Sequence, residues 1–374
     1  MKRPLEAQII KDLAKKMVFL VGPRQAGKTW LAKKVSQHYK RSVYLNYDNV
    51  QDKKMIKKQN WLPSTDLLIL DELHKMRGWK NYLKGLYDTK PEGMHILVTG
   101  SARLDVFHRM GDSLAGRFFM HRLLPFSLAE VKESPFGYDL PRFLERGGFP
   151  EPFLTEDPLD AKRWRQQYIH SLIRTDIFDI EIIHNLKALE SVLEILRHRV
   201  GSPVSYQSIA EDVGISPTTV KKYIQLLEAL FIIFRVTPFS KNIARSLLKE
   251  PKIYFFDTGM IEATDGARLE NFAAISLLKW IYHQNDCLGS EYKLHYLRTK
   301  DGREVDFAVA NKKIIEHIIE VKQSDLHVHS ALAYFHEKNA LKAIQVVQHC
   351  RTAHLSGDIE IVPFIDYFRE LSEA

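Results

Sequence analysis

A chain of 374 residues is longer than a single domain usually runs, so two or three domains are expected. Its 54 lysines and arginines against 46 acids leave a net charge of +8, which permits a polyanionic partner, while 45% hydrophobic residues exclude a long disordered chain. Two cysteines, Cys287 and Cys350, exclude a disulfide framework and a zinc motif, and with no secretory pattern and no apolar run near the roughly 18 residues of a membrane span, a cytoplasmic setting without membrane association is expected.

Leu5, Ile9, Ile10 and Leu13 share one helical face and lead into an apolar run, Val18-Phe19-Leu20-Val21, that predicts a buried strand. The run ends in Gly22-Pro23-Arg24-Gln25-Ala26-Gly27-Lys28-Thr29, a phosphate-binding loop followed by a helical pattern. Gly22 and Gly27 let backbone N–H groups approach an anion, Lys28 supplies a charge for the β- and γ-phosphates, and the Thr29 hydroxyl is a ligand for Mg²⁺. ATP and Mg²⁺ are the cofactors this implies. Four more stretches read as strands of a parallel sheet: 42–46, 67–70, 95–98 and Arg122-Leu123-Leu124. The second of these ends in Asp71-Glu72, a Walker B pattern in which Asp71 organises Mg²⁺ and Glu72 polarises the attacking water. After the next strand, Thr99 or Ser101 is placed either to sense the γ-phosphate or simply to cap a turn. Arg117, like Arg103, has two readings as well: a finger reaching the nucleotide of a neighbouring copy in a homo-oligomer, or an internal salt bridge.

The box Ser127-Leu128-Ala129-Glu130 opens a mostly helical stretch, interrupted at Gly147-Gly148-Phe149-Pro150, that suits a lid over the nucleotide. Residues 205–220 then match helix-turn-helix spacing, with Ala210 at the helix contact, Gly214 in the turn, Ser216 as cap, Pro217 at the first position and Val220 buried. Thr218, Thr219, Lys221 and Lys222 are expected to point outward toward DNA. Strand-like stretches at 231–236 and 252–256, with Lys241, Arg245 and Lys249 between them, complete a winged-helix pattern. The competing reading is a packing or oligomerisation module whose lysines form an ordinary solvated face.

In the last third, 303–309 and 314–322 read as two strands. Glu320 and Lys322 share a face, and a three-residue loop at 311–313 would set Asp306 opposite Ile318, diagonal to Glu320 and roughly 7–8 Å from it. A two-residue loop would put the two acids on opposite faces. On one face, Asp306 and Glu320 would share a Mg²⁺ while Lys322 orients or deprotonates a water, the pattern of the PD-(D/E)XK nucleases, with Glu270 on an upstream helix as a further acid. A first strand at 294–297, a helix near 327–340 and a strand at 343–347 supply the helix-strand-strand-strand-helix-strand order of that fold. The alternative is that the fold persists with its acids in salt bridges and no cleavage. His327 and His329 make a poor metal pair and read as solvated.

Taken together, the chain resembles, over nearly its full length, a group of bacterial and archaeal AAA-superfamily ATPases with a winged helix and a C-terminal restriction-endonuclease-like domain of unknown function. The residues that carry the likeness include the loop 22–29, Leu70-Asp71-Glu72, Thr99-Gly100-Ser101, Ser113-Leu114-Ala115-Gly116-Arg117, Gly147-Gly148-Phe149-Pro150-Glu151, 254–259, Glu270-Asn271-Phe272, Glu304-Val305-Asp306-Phe307 and Glu320-Val321-Lys322. The resemblance implies ATPase roles for Lys28, Thr29, Asp71 and Glu72 and gives Arg117 the look of an arginine finger; the lid offers no clear second sensor arginine. The expected architecture is α/β: a P-loop AAA-type parallel sheet (1–124), a helical lid (125–190), a winged helix-turn-helix (191–260) and a PD-(D/E)XK-like α/β domain (261–374). The expected function is that of an ATP-binding, ATP-hydrolysing protein acting on DNA, with a Mg²⁺-dependent nuclease domain. The alternative is a nucleotide-switched signalling or scaffold ATPase whose later domains bind protein and do not cleave.

Overall fold

A computed structural model describes residues 3–100, 114–173, 185–240 and 249–373. The chain divides into two compact units, one of residues 1–125 with 229–231, the other of 126–228 with 232–374. Among the described residues, no helix is long and apolar enough to cross a membrane.

The first unit is a five-stranded parallel sheet in the order β2-β3-β4-β1-β5, with β1 Met17–Val21, β2 Ser42–Asn46, β3 Leu67–Asp71, β4 His95–Gly100 and β5 Phe118–Arg122. β1 and β3 are buried along their whole length, as their unbroken apolar runs require. Alternation divides them between two cores. Phe19, Val21, Leu68 and Leu70 pack with Trp79, Leu83 and Leu86, whereas Val18, Leu20, Leu67 and Ile69 pack with Ile9, Leu13, Leu31, Ala32 and Val35. The helices that cover them are α1 Leu5–Leu13, α2 Lys28–Ser36 and α4 Trp79–Thr89, while α3 Val50–Lys58 follows β2. At roughly 1.5–3 kcal/mol per large apolar side chain buried, this double-sided burial is what holds the strand ends in register.

The fifth strand differs from expectation. It begins at Phe118, and Leu123-Leu124 lie beyond it. The physical reason is its partner: β5 pairs β1 from Met17↔Phe118 to Val21↔Arg122, and β1 then turns away at Gly22. Gly22 has φ +148°, and a Cβ there would lie 2.2 Å from the Leu123 carbonyl oxygen, so only glycine lets the loop pass so close to the end of β5.

The second unit opens with short helices, α5 Leu128–Val131, α6 Leu140–Arg146, α7 Pro150–Leu154 and α8 Pro158–Ser171. The capping box at Ser127 and Glu130 forms as expected. The Gly147 and Asp257-Thr258-Gly259 motifs meet: a Cβ on Gly147 would collide with the Asp257 carboxylate, which is held by Arg165 at 3.1 Å. After α9 Leu186–His198 come α10 Tyr206–Val213 and α11 Pro217–Ala229, joined through Gly214 in the left-handed region, with Ala210 and Val220 buried. The hairpin β6 Ile233–Pro238 and β7 Lys252–Phe255 follows.

That hairpin does not stand apart. β6 also runs parallel to β8 Tyr292–Arg298, which makes it the edge of an eight-stranded sheet ordered β12-β13-β11-β10-β9-β8-β6-β7. The remaining strands are β9 Glu304–Asn311, β10 Ile314–Lys322, β11 Lys342–Val347, β12 His354–Ser356 and β13 Ile359–Pro363, with α12 Asp265–Leu288, α13 Ser330–Asn339 and α14 Phe364–Glu373. One sheet thus spans the division expected at 260–261, and α12-β8-β9-β10-α13-β11 supplies the anticipated order of elements.

Candidate functional site

In the first unit, β1 enters the phosphate loop at Gly22 and leaves it through Gly27 (φ 96°), which starts α2 at Lys28. Pro23 and Ala26 are buried, Arg24 is half-buried, and Gln25, exposed, takes φ 60°. The loop therefore turns its backbone around a short arc at a helix N-terminus, where N–H groups and the helix dipole attract an anion. Lys28 is buried, its Nζ donating to the carbonyl oxygens of Gly22 at 3.0 Å and Pro23 at 2.6 Å. Burial lowers its pKa to about 8 against the opposing pull of Glu72 and Asp71, so the ammonium is poised for an anionic partner.

Asp71 ends β3 as the hub of this site. Its carboxylate accepts the hydroxyls of Thr29 at 3.0 Å, Tyr44 at 2.5 Å and Thr99. The register explains Thr99, which stands directly beside Asp71 on β4. Its hydroxyl thus holds the acid, the capping alternative being replaced by a side-chain bond between strands. Glu72 follows in the left-handed region (φ 55°), with its N–H on the Thr99 carbonyl at 3.0 Å. Burial raises its pKa, opposed by Lys75, whose Nζ is 3.6 Å away. Thr29 and Asp71 are hard oxygen donors side by side and suit Mg²⁺. Arg117 lies on the surface forked onto Asp88, with bonds of 2.8 and 3.1 Å, so the structure forms the salt bridge that was one of its two readings. Ser101 and Arg103 lie outside the described residues, as do Lys241 and Arg245.

Sequence reasoning missed two residues here. Tyr44 carries no motif, and only its place on the neighbouring strand brings its hydroxyl to Asp71. Arg3 is buried and donates to the Ala26 carbonyl at 2.7 Å and to that of Leu124 at 3.3 Å, tying the N-terminal segment to the loop.

Along the helix-turn-helix, Thr218, Lys221 and Lys222 are exposed. Thr219 departs from the outward orientation expected of it: it is half-buried, its hydroxyl 2.9 Å from that of Ser216, which also accepts the Thr219 N–H at 3.1 Å. It serves the helix cap.

The β9–β10 hairpin settles the register question in a way neither loop length anticipated. Ile314 pairs with Asn311, so the turn has two residues, and the acids should fall on opposite faces. A bulge at Glu316 then adds one residue to β10, and from His317↔Val309 to Ile319↔Phe307 the pairing is shifted by one. One step further on, Asp306 and Glu320 stand directly opposite on the same face rather than diagonally. The carboxylates take the place of the ladder: Glu320 Oε2 accepts the Asp306 N–H at 3.2 Å, and Asp306 Oδ2 accepts the Val321 N–H at 3.0 Å.

Around this pair, Lys322 Nζ lies 2.8 Å from Glu320 Oε1, and Glu270 arrives from α12. Asn271 anchors that helix to β7 through both backbone polar groups of Phe255, at 2.7 and 2.9 Å. Burial, then Asp306, push the Glu320 pKa up to about 8 against the pull of Lys322; burial and Asp306 likewise bring Glu270 to about 7. His329 is half-exposed and brings Nδ1 to 3.1 Å from Glu320 Oε1; His327 is fully exposed, as expected.

At the centre is a residue the sequence analysis did not single out. Lys252 of β7, buried to 1% exposure, brings Nζ to 2.9 Å from Glu304, 3.2 Å from Glu270 and 3.5 Å from Asp306. Burial lowers its pKa, but the three carboxylates outweigh this and the net shift is upward. Asp306 and Glu320 thus each lie against a lysine ammonium, and these residues as arranged do not fit a Mg²⁺ ion, whose place among them is taken by positive charge already present.

Comparison with known proteins bears on the domain that holds the first of these sites. Residues 14–132 match the AAA domain family, residues 137–271 a domain of unknown function (DUF8612) and residues 265–367 another (DUF4143). An uncharacterised protein of Mycobacterium tuberculosis is 26% identical over 78% of this chain and 67% of its own length. Others from Methanocaldococcus jannaschii (24%; 84% of this chain, 77% of that protein) and Haemophilus influenzae (22%; 92% of each) are also similar. Among solved structures, a Walker-type ATPase of Pyrococcus abyssi is 15% identical, covering 69% of this chain and 94% of that one with a TM-score of 0.46. The RuvB Holliday junction branch migration motor of Thermotoga maritima is 20% identical, covering 59% and 82% with a TM-score of 0.32. The matched AAA domain and the loop geometry, independently of these partial superpositions, make residues 14–132 an AAA-type P-loop ATPase domain that binds nucleotide.

Proposed function

We propose that the protein hydrolyses ATP and uses the cycle to act on DNA through residues 205–255, with a C-terminal domain that does not cleave. The observation that carries the ATPase part is the bond from Thr29, beside Lys28 at the start of α2, to Asp71 at the end of β3, with Glu72 next in the chain. Lys28 holds the β- and γ-phosphates, Glu72 orients the attacking water and takes its proton, and Thr99 and Tyr44 fix the Asp71 carboxylate. Mg²⁺ held by Thr29 and Asp71 would neutralise developing phosphate charge. Arg117 serves a neighbouring copy only after leaving Asp88.

For DNA, the support is a helix-turn-helix followed by a hairpin, a winged-helix order, with Thr218, Lys221 and Lys222 on the exposed side of α11. The order of elements from α12 to β11 supports a restriction-endonuclease-like reading of this domain, while its acids engaged by lysines favour the non-cleaving alternative. An ATPase assay with and without DNA, run beside a cleavage assay on the same preparation, tests the whole reading. DNA-stimulated hydrolysis without Mg²⁺- or Mn²⁺-dependent cleavage is expected. Lys221→Ala with Lys222→Ala should lower the dependence of log affinity on log salt by about 2. An unchanged slope, or affinity indifferent to salt, sinks the DNA reading and favours the scaffold ATPase.

A further inference from the structure

The C-terminal carboxylates raise a question that the ATPase reading leaves alone: why a buried lysine from a different hairpin ends among them. Glu304 and Asp306 come from β9, Glu270 from α12 and Lys252 from β7, so three elements converge on one ammonium group. The contacts are at 2.9, 3.2 and 3.5 Å, and the Tyr296 ring stands 5.5 Å from Nζ. Tyr254, on the same face of β7, donates to Glu270 Oε1 at 2.6 Å, and Arg298 lies 3.0 Å from Glu304.

Three carboxylates drawn toward one point repel each other unless a cation sits among them. In a hydrolytic metal site that cation is divalent and binds oxygens from separate elements, leaving positions for water. Here the point is taken by a compact charge on a covalent tether, with three N–H groups for three acids. A second cation would meet Lys252 within the same shell and find Asp306 Oδ2 and Glu320 Oε2 already accepting backbone N–H groups.

We propose that Lys252 is a built-in cation that fills the position a divalent metal would take among Glu270, Glu304 and Asp306, so that the cluster is metal-independent and fastens β7 to the α12–β9 face. The corollary is a latent metal site, which appears when Lys252 is made neutral. The inference does not depend on DNA binding or on ATP hydrolysis.

Mn²⁺ is the probe, titrated as its chloride into nucleotide-free full-length protein, with free Mn²⁺ read by electron paramagnetic resonance. In the wild type, Asp306→Asn should leave Mn²⁺ binding unchanged. Lys252→Met and Lys252→Gln should each gain a site at least about tenfold tighter than any in the wild type. That site should vanish when Asp306→Asn is added, and Mn²⁺ should raise the variants' melting temperature, which without metal falls by about 10 °C. Lys252→Arg, which keeps the charge, should gain none. A wild-type Mn²⁺ site abolished by Asp306→Asn overturns the proposal, as do neutral variants that fold and acquire no site. Should neither neutral variant fold, the wild-type comparison decides by itself.

Discussion

The two carboxylate centres of this protein are built from similar acids and held in opposite ways. Asp71 is surrounded by three hydroxyls, from Thr29, Tyr44 and Thr99, which orient it and leave its charge in place. Asp306, Glu304 and Glu270 instead surround the Lys252 ammonium, and Glu320 lies against Lys322. Neutral donors position an anion for a partner still to come; a covalently attached cation satisfies it in advance. The difference teaches that gathering several acids at one point differs from keeping a place for a metal, and that the donors around each acid distinguish the two cases.

The contrast can be broken most severely at the nucleotide loop. Lys28→Ala should weaken ATP binding by about a hundredfold or more, measured by calorimetry, because a buried charge-assisted contact to phosphate is lost. Unchanged affinity would sink the assignment of the loop.

Next in size is a pH effect at the second centre. Glu320 and Glu270 have folded pKa values near 8 and 7, above an ordinary glutamate value of 4.5, so the folded state holds protons that the unfolded chain has released. The sign follows: their contribution to stability is fully present below about 4.5 and is lost as pH rises toward 8. Glu320→Gln, which mimics the protonated acid, should flatten that decline in a series of urea denaturations between pH 5 and 8. A decline of the same slope in the variant shows that the proton lies elsewhere. The first centre should show no such response to this substitution.

The smallest effect sharpens the role of the hydroxyls. Tyr44→Phe removes one of the donors to Asp71 and should lower kcat by about tenfold with little change in melting temperature. A variant as fast as the wild type would mean that Thr29 and Thr99 suffice to hold the acid.

How legible each centre was in the chain follows from how local its geometry is. The phosphate loop spans eight consecutive residues, and Asp71-Glu72 sits at the end of a strand whose apolar run advertises it, so both could be read directly. The Asp306–Glu320 pairing was less accessible: it turns on a bulge at Glu316, and nothing in Ile314-Ile315-Glu316-His317 marks the extra residue. Arg117 carried two readings, and the partner in one of them, Asp88, lies 29 residues away with no pattern to mark it. Lys252 left no trace because it stands in an apolar strand, 54 residues from the Asp306 it meets.

By itself, the amino-acid order determined where strands of unbroken apolar character lie, where glycine lets backbone turn around an anion, and which strand end carries two acids. Those features depend on neighbours a few residues apart, whose spacing is covalent. Only tertiary structure decided which donors meet each carboxylate, since that depends on register, on one bulge, and on a hairpin that forms the edge of a larger sheet. Charges meet through space, and the distances along the chain that separate them carry no record of the meeting.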